Sequence, residues 1–188
     1  MAHDICPWWL GYLLASPLRR LIENPESLLG PFVKPGMTVV DYGCGMGFFT
    51  LPMARMVGPA GKVKAVDVQE KMLAGMERRA RKHGLADRIT AVRADVHGAL
   101  TGIEVDFVAA LHVVHELKDR EAFFGQMLAI MKPGAKMLVV EPRHHVKDAE
   151  FRESVDLALS NGFVGTDEIV SGRDCAAVLM APVHGNLH

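Results

Sequence analysis

Three cysteines, two tryptophans and two tyrosines among 188 residues leave little material for covalent or aromatic reinforcement. Cys6, Cys44 and Cys175 are an odd number at unrelated spacings, which argues against a disulfide framework and against a Cys-x-x-Cys metal site. Charge of one sign is equally scarce. The 21 Lys and Arg residues nearly cancel 22 Asp and Glu, so no global field draws the chain to nucleic acid or to an anionic membrane. The apolar run from Ile5 to Leu18 is too short to span a bilayer, contains Pro7, and follows Asp4 rather than a basic stretch. A cytoplasmic protein without stable membrane insertion is therefore expected, this run packing on the core or capping a pocket. His3 and Cys6 lie beside it and, with His115 and His145, would suit zinc. No stretch carries a diagnostic ligand spacing, and no metal is expected.

What is present is a globular composition, 49% apolar and 23% charged, with 11 methionines for adaptable packing. Residues 1–36 read as a cap of short helices broken by prolines, with Asn24-Pro25-Glu26 as a helix start. From Met37 the pattern alternates. Strands are expected at Met37–Tyr42, Lys62–Asp67, Arg88–Ala94, Val105–Leu111 and Ala135–Glu141. Helices are expected at Phe48–Val57, Gln69–His83, Asp119–Met131 (stopped by Lys132-Pro133-Gly134) and Asp148–Leu159. Two last strands, Phe163–Val170 and Asp174–Ala181, are separated only by Ser171-Gly172-Arg173, a connection that demands an antiparallel hairpin. The sum is an α/β chain, a doubly wound, mostly parallel sheet of seven strands with one antiparallel edge strand. A single domain is expected, the core running from 37 to 182.

The strongest local signal is Val39-Val40-Asp41-Tyr42-Gly43-Cys44-Gly45-Met46-Gly47. A strand runs into glycines and then a helix, where backbone must turn tightly and approach a ligand closely. The dinucleotide fingerprint would want a third glycine at position 48, and Phe48 stands there, which argues against a nucleotide-dependent oxidoreductase. Asp67 ends the next strand, roughly 20 residues on, where nucleotide-binding α/β folds place the acid for the ribose hydroxyls. A cap for the following helix is the plainer alternative and can coexist with that role. Asp95 follows the third strand, where it is either a ligand or an ordinary turn residue.

The acid-x-Gly-x-Gly-x-Gly spacing, with the acid on the strand itself, resembles the class I methyltransferases that act on small molecules. The resemblance runs from about Met37 to Pro142 and more loosely to Pro182. It implies a Rossmann-like fold and S-adenosylmethionine as cofactor, the methionine moiety falling to Asp41, Gly43 and Gly45. It further implies that Asp67 takes the ribose, that Val68 packs on the adenine, and that Asp95 and the Val96 backbone meet the adenine ring. A module that binds the cofactor without catalysis is the alternative.

Two strand ends are crowded with titratable groups, His112-Val113-Val114-His115-Glu116 and Glu141-Pro142-Arg143-His144-His145. If residues 112–116 turn as a helix does, His112 and His115 share a face. Methyl transfer is an in-line displacement, so alignment and water exclusion matter most, and a base helps a protonated acceptor. His115, oriented by Glu116, and His145 are expected to line the acceptor site. The plainer reading makes Glu116 a helix start and the histidines loop ties. Trp8, Trp9 and Tyr12 form either a lid or core packing. Arg78-Arg79-Ala80-Arg81-Lys82 reads as a solvated helix face suited to the helix dipole, not a nucleic-acid patch. No Asn-Pro-Pro-Tyr-type element follows the fourth strand, which points to a small-molecule oxygen, sulfur, carbon or metalloid acceptor. With no inserted substrate domain, the pocket falls to the N-terminal segment, the histidine loops or a second subunit in a homodimer.

Overall fold

The computed structural model describes residues 23–94, 100–171 and 174–183. The segment Ile5–Leu18 with Trp8, Trp9 and Tyr12, the pair His3 and Cys6, the expected adenine contacts Asp95 and Val96, and the hairpin residues Gly172 and Arg173 lie outside them. The described residues divide into two compact units, one up to Thr101 and one from Gly102 onward.

In the first unit, helix α1 (Pro25–Leu29) starts as the sequence implies. The Asn24 side chain accepts from the N–H groups of Glu26 (3.0 Å) and Ser27 (3.1 Å), and Pro25 takes the first helical position. Strands β1 (Thr38–Tyr42), β2 (Lys62–Asp67) and β3 (Ile89–Arg93) pair in parallel with β2 central. Val39, Val40, Val63, Ala65 and Val66 are fully buried. Such runs, covered on both faces, favour parallel over alternating strands. Helix α2 (Thr50–Met56) connects β1 to β2, and α3 (Glu70–Lys82) connects β2 to β3.

Helix α3 buries Met72, Leu73, Met76 and Ala80 and turns Arg78, Arg81 and Lys82 to solvent. Complete burial of a side chain such as Met76 contributes about 2 kcal/mol. The basic run is thus the solvated face expected of it, with one exception: Arg79 turns inward and donates to the Met46 carbonyl.

In the second unit, β4 (Val105–Leu111) and β5 (Met131–Pro142) are parallel, joined through α4 (Arg120–Ile130), whose N-cap Asp119 accepts from the Ala122 N–H at 2.9 Å. Helix α5 (Asp148–Ser160) leads to the expected hairpin of β6 (Val164–Ser171) and β7 (Asp174–Met180). Strand β7 is the one of reversed sense, antiparallel both to β5 and to β6.

One boundary differs from the sequence pattern. Lys132-Pro133-Gly134 was expected to end a helix ahead of a strand at Ala135, yet β5 begins at Met131. Met131 pairs with Val105, and the register then jumps so that Lys136 pairs with Phe107. Pro133 has no N–H to give, and Gly134 sits at φ 76° with its N–H on the Ala181 carbonyl (3.0 Å). The turn survives as a bulge inside the strand. Among the described residues, no helix is long and apolar enough to cross a membrane.

Candidate active site

The glycine loop grows out of the carboxyl end of β1. Gly43, Gly45 and Gly47 take φ values of 77°, 51° and 81°, left-handed positions that cost a side-chain-bearing residue about 1–2 kcal/mol each. The N–H groups of Gly43 (2.8 Å) and Cys44 (2.9 Å) both donate to the Val66 carbonyl, which folds the loop over the end of β2. The Asp67 carboxylate then receives the Gly45 N–H at 2.9 Å on one oxygen and the Gln69 N–H at 2.8 Å on the other. Asp67 therefore ties the glycine loop to the segment ahead of α3, but it is not the helix cap the sequence allowed: the N-cap is Gln69, with no side-chain cap hydrogen bond. Val68, the next residue, exposes 44% of its surface.

Asp41 is buried within β1 and accepts a hydrogen bond from the Thr50 hydroxyl. Burial raises its pKa to about 7, opposed by the Thr50 hydrogen bond and reinforced by the charge of Asp67. Asp67 itself is raised by burial, against the pull of its backbone donors. Two acids in one low-dielectric region resist ionising together.

In the second unit, His112 follows β4 at φ 60°, its N–H on the Val140 carbonyl (2.7 Å). That left-handed residue turns the chain so that Val114–Glu116 form a single 3₁₀ turn at the end of β5. His115 and His145 are brought together as expected, their rings nearly parallel (7°) with centroids 6.1 Å apart, and His144 lies 4.3 Å from His145. The orienting carboxylate is not the expected one. His115 Nδ1 meets Glu141, while Glu116 follows His115 directly in the turn, and adjacent residues in a helical turn do not face each other. The hydrogen bond that His115 gives to Glu141 raises the His115 pKa against partial burial, and the charges of Glu141, Glu116 and Glu150 add to it.

Sequence reasoning missed two contributors, Thr50 and Glu141. A threonine in the first turn of the helix after the loop was a visible signal for the first. An acid ending the apolar run Met137–Val140 was the signal for the second.

The methyltransferase domain family matches residues 33–171, most of the chain and all of both strand-end clusters. This chain belongs to the class I methyltransferases. The curated relatives include ubiquinone/menaquinone biosynthesis C-methyltransferases UbiE of Shewanella halifaxensis (28% identical) and Shewanella woodyi (29%), each over 60% of this chain. The chain spans about half (47%) of the length of these relatives. Among solved structures, a SAM dependent methyltransferase from Aquifex aeolicus is 25% identical, with a TM-score of 0.83 over 94% of this chain and 100% of that one. TrmN from Thermus thermophilus is 26% identical, with a TM-score of 0.67 over 85% of this chain and 48% of that one. The shared fold is the Rossmann-like α/β class, with the mostly parallel seven-stranded sheet that the strand pattern implied.

The cofactor of this methyltransferase is S-adenosylmethionine. The glycine loop fits such a ligand. A Cβ built on Gly45 would enter open space beside the loop, whereas one on Gly47 would run into Leu51 and Met76 at 2.8 Å. One glycine thus leaves room for a ligand and the other is required by packing. The Asp67 carboxylate, with about four lone-pair directions, retains acceptor capacity for a diol beyond its two loop bonds.

Proposed function

We propose that this methyltransferase methylates a small molecule whose acceptor atom becomes nucleophilic on giving a proton to His115. The observation that carries the reading is an imidazole at the carboxyl end of β4 held on a buried carboxylate from the end of β5, in a fold whose ligands bind beyond the strand ends. S-adenosylmethionine supplies, when bound, a methyl group on a positively charged sulfur. Asp67 takes the ribose hydroxyls, Val68 covers the adenine, and Asp41, Gly43 and Gly45 shape the loop around the methionine portion. Asp95 and Val96 complete the adenine contacts in the same reading. His115 receives the acceptor proton, His145 walls the same place, and Glu116 contributes negative charge to the imidazolium. Carbon is the favoured acceptor atom, with oxygen and sulfur behind it, because the Shewanella relatives are named C-methyltransferases.

Both compact units are read as one methyltransferase domain, because the family match runs through both. The two described cysteines, Cys44 and Cys175, are free, which suits a cytoplasmic protein. A homodimer belongs to the same proposal, and its mass in solution tests it.

The decisive measurement is transfer of labelled methyl from S-adenosylmethionine to hydroquinones, catechols and thiols. His115→Ala is expected to lower kcat by about 10²–10³ on the accepted substrate while leaving cofactor affinity intact. Undiminished turnover in the variant removes the base role. Cofactor binding with no turnover of any acceptor class would favour a binding module.

A further inference from the structure

We propose that Glu141 is a positioning residue: its buried carboxylate, clamped by the backbone of the 114–115 turn, keeps the His115 proton on Nδ1 and leaves Nε2 as the basic nitrogen. This rests on the reading of His115 as the base, and it adds the group that sets which nitrogen does the work.

Glu141 is the penultimate residue of a strand in which the preceding residues, Met137 to Val140, are all buried, and its own surface is only 2% exposed. A carboxylate taken out of water costs several kcal/mol unless its oxygens find donors. Among the described residues, the donors that Glu141 engages lie on one short segment 26–27 residues back in the chain. One oxygen accepts the N–H of Val114 at 2.7 Å and that of His115 at 3.3 Å, and the other meets His115 Nδ1. The backbone bonds fix the carboxylate, and the carboxylate fixes the ring. An ionised carboxylate only accepts, so in the neutral imidazole the shared proton sits on Nδ1 and the lone pair on Nε2.

A glutamate that merely tied the loop to β5 would be replaceable by glutamine. The amide oxygen could still accept from Val114 and His115, so the loop would stay anchored. The amide NH₂ would then face Nδ1 and demand a lone pair there, driving the proton to Nε2. Loop anchoring and tautomer control are thereby separated by one isosteric change.

Other charged and titratable groups act on the same ring. Glu116 and Glu150 raise its proton affinity, Glu150 being paired with Arg120 at 2.8 Å, and His145 stacks on it with His144 behind. All of these remain in Glu141→Gln, so the variant isolates the contribution of Glu141.

The test is long-range ¹H–¹⁵N spectroscopy of the full chain labelled at histidine nitrogen, followed from pH 5 to 9 in wild type and Glu141→Gln. S-adenosylhomocysteine titration of both proteins serves as the check of folding. The expected result is a protonated Nδ1 in neutral wild-type His115. In the variant the protonated nitrogen switches to Nε2, the titration midpoint falls by about one pH unit or more, and S-adenosylhomocysteine affinity is retained. A wild-type ring protonated at Nε2, or a variant with unchanged tautomer and midpoint, overturns the proposal. If Glu141→Gln does not bind S-adenosylhomocysteine, the wild-type spectrum alone decides. The spectra need no acceptor, so this proposal and the base role fail separately. His115→Ala with full turnover removes the base but not the Glu141 control of the tautomer, and an unshifted variant does the reverse.

Discussion

The glycine loop and the histidine turn both follow the carboxyl ends of parallel strands, and they are built in opposite ways. In the loop, function resides in backbone. Three left-handed glycines within five residues bend the chain, and the partners they meet, Val66 and Asp67, come from the adjacent strand in register. In the turn, function resides in side chains. His115 acquires its properties from Glu141, 26 residues away, and only a left-handed non-glycine residue, His112, brings the two segments to terms. A backbone device is insensitive to most side-chain changes nearby but intolerant at its glycines. A side-chain device rests on a few partners and can be retuned by one atom.

The sharpest way to break this comparison is Asp67→Ala, because the Asp67 side chain holds the loop at Gly45. It removes the acceptor for the Gly45 and Gln69 N–H groups together with the expected ribose partner. Calorimetric titration should show S-adenosylhomocysteine affinity down by at least about 100-fold, roughly 3 kcal/mol. Near-normal affinity would mean that backbone alone holds the cofactor.

A smaller effect is expected from Gly47→Ala. The new methyl would stand 2.8 Å from Leu51 and Met76 at a φ of 81°, so urea denaturation should register a loss of about 2 kcal/mol. Because Leu51 and Met76 are flexible side chains, part of the clash relaxes and most of the cost is the left-handed backbone. A stability equal to wild type would show the loop to be more compliant than its glycines imply.

A further expected change concerns pH. The pKa of Asp41 stands at about 7 in the folded chain against 3.8 for an unburied group, so the folded state keeps a proton that the unfolded state releases. The stabilisation is complete below about pH 4 and is lost as pH rises through 7, the slope being set by the difference in bound protons. Asp41→Asn should therefore flatten the fall in urea-denaturation stability between pH 4 and 7, by at most about 1.4 kcal/mol per pH unit. Parallel profiles for the two proteins would show that Asp41 ionises normally inside β1.

Much of this was legible beforehand, for a physical reason particular to each element. The buried run at Val39–Val40 announced a parallel strand because burial on both faces leaves no polar alternation to read. The Asn24 cap was visible because capping is a contact over two or three residues, whereas Asp119, read as the first helical residue, proves to be the N-cap. The stop at Pro133-Gly134 was read correctly as a break in pairing but misplaced, since a bulge inside a strand and a turn ahead of one use the same residues. The basic run 78–82 was legible except for Arg79, whose partner Met46 lies 33 residues earlier.

The sequence by itself determined the alternation of strands and helices, the glycine loop and the position of Asp67. All of these follow from local backbone preference and from spacing along one or two neighbouring elements. Only the tertiary structure decided that Glu141 rather than Glu116 holds His115, that Thr50 caps Asp41, and that His115 and His145 stack. Those contacts join side chains brought close by sheet pairing and by one strained turn. A choice between two acids of equal charge depends on the direction of a side chain, which no pattern of residue types along the chain records.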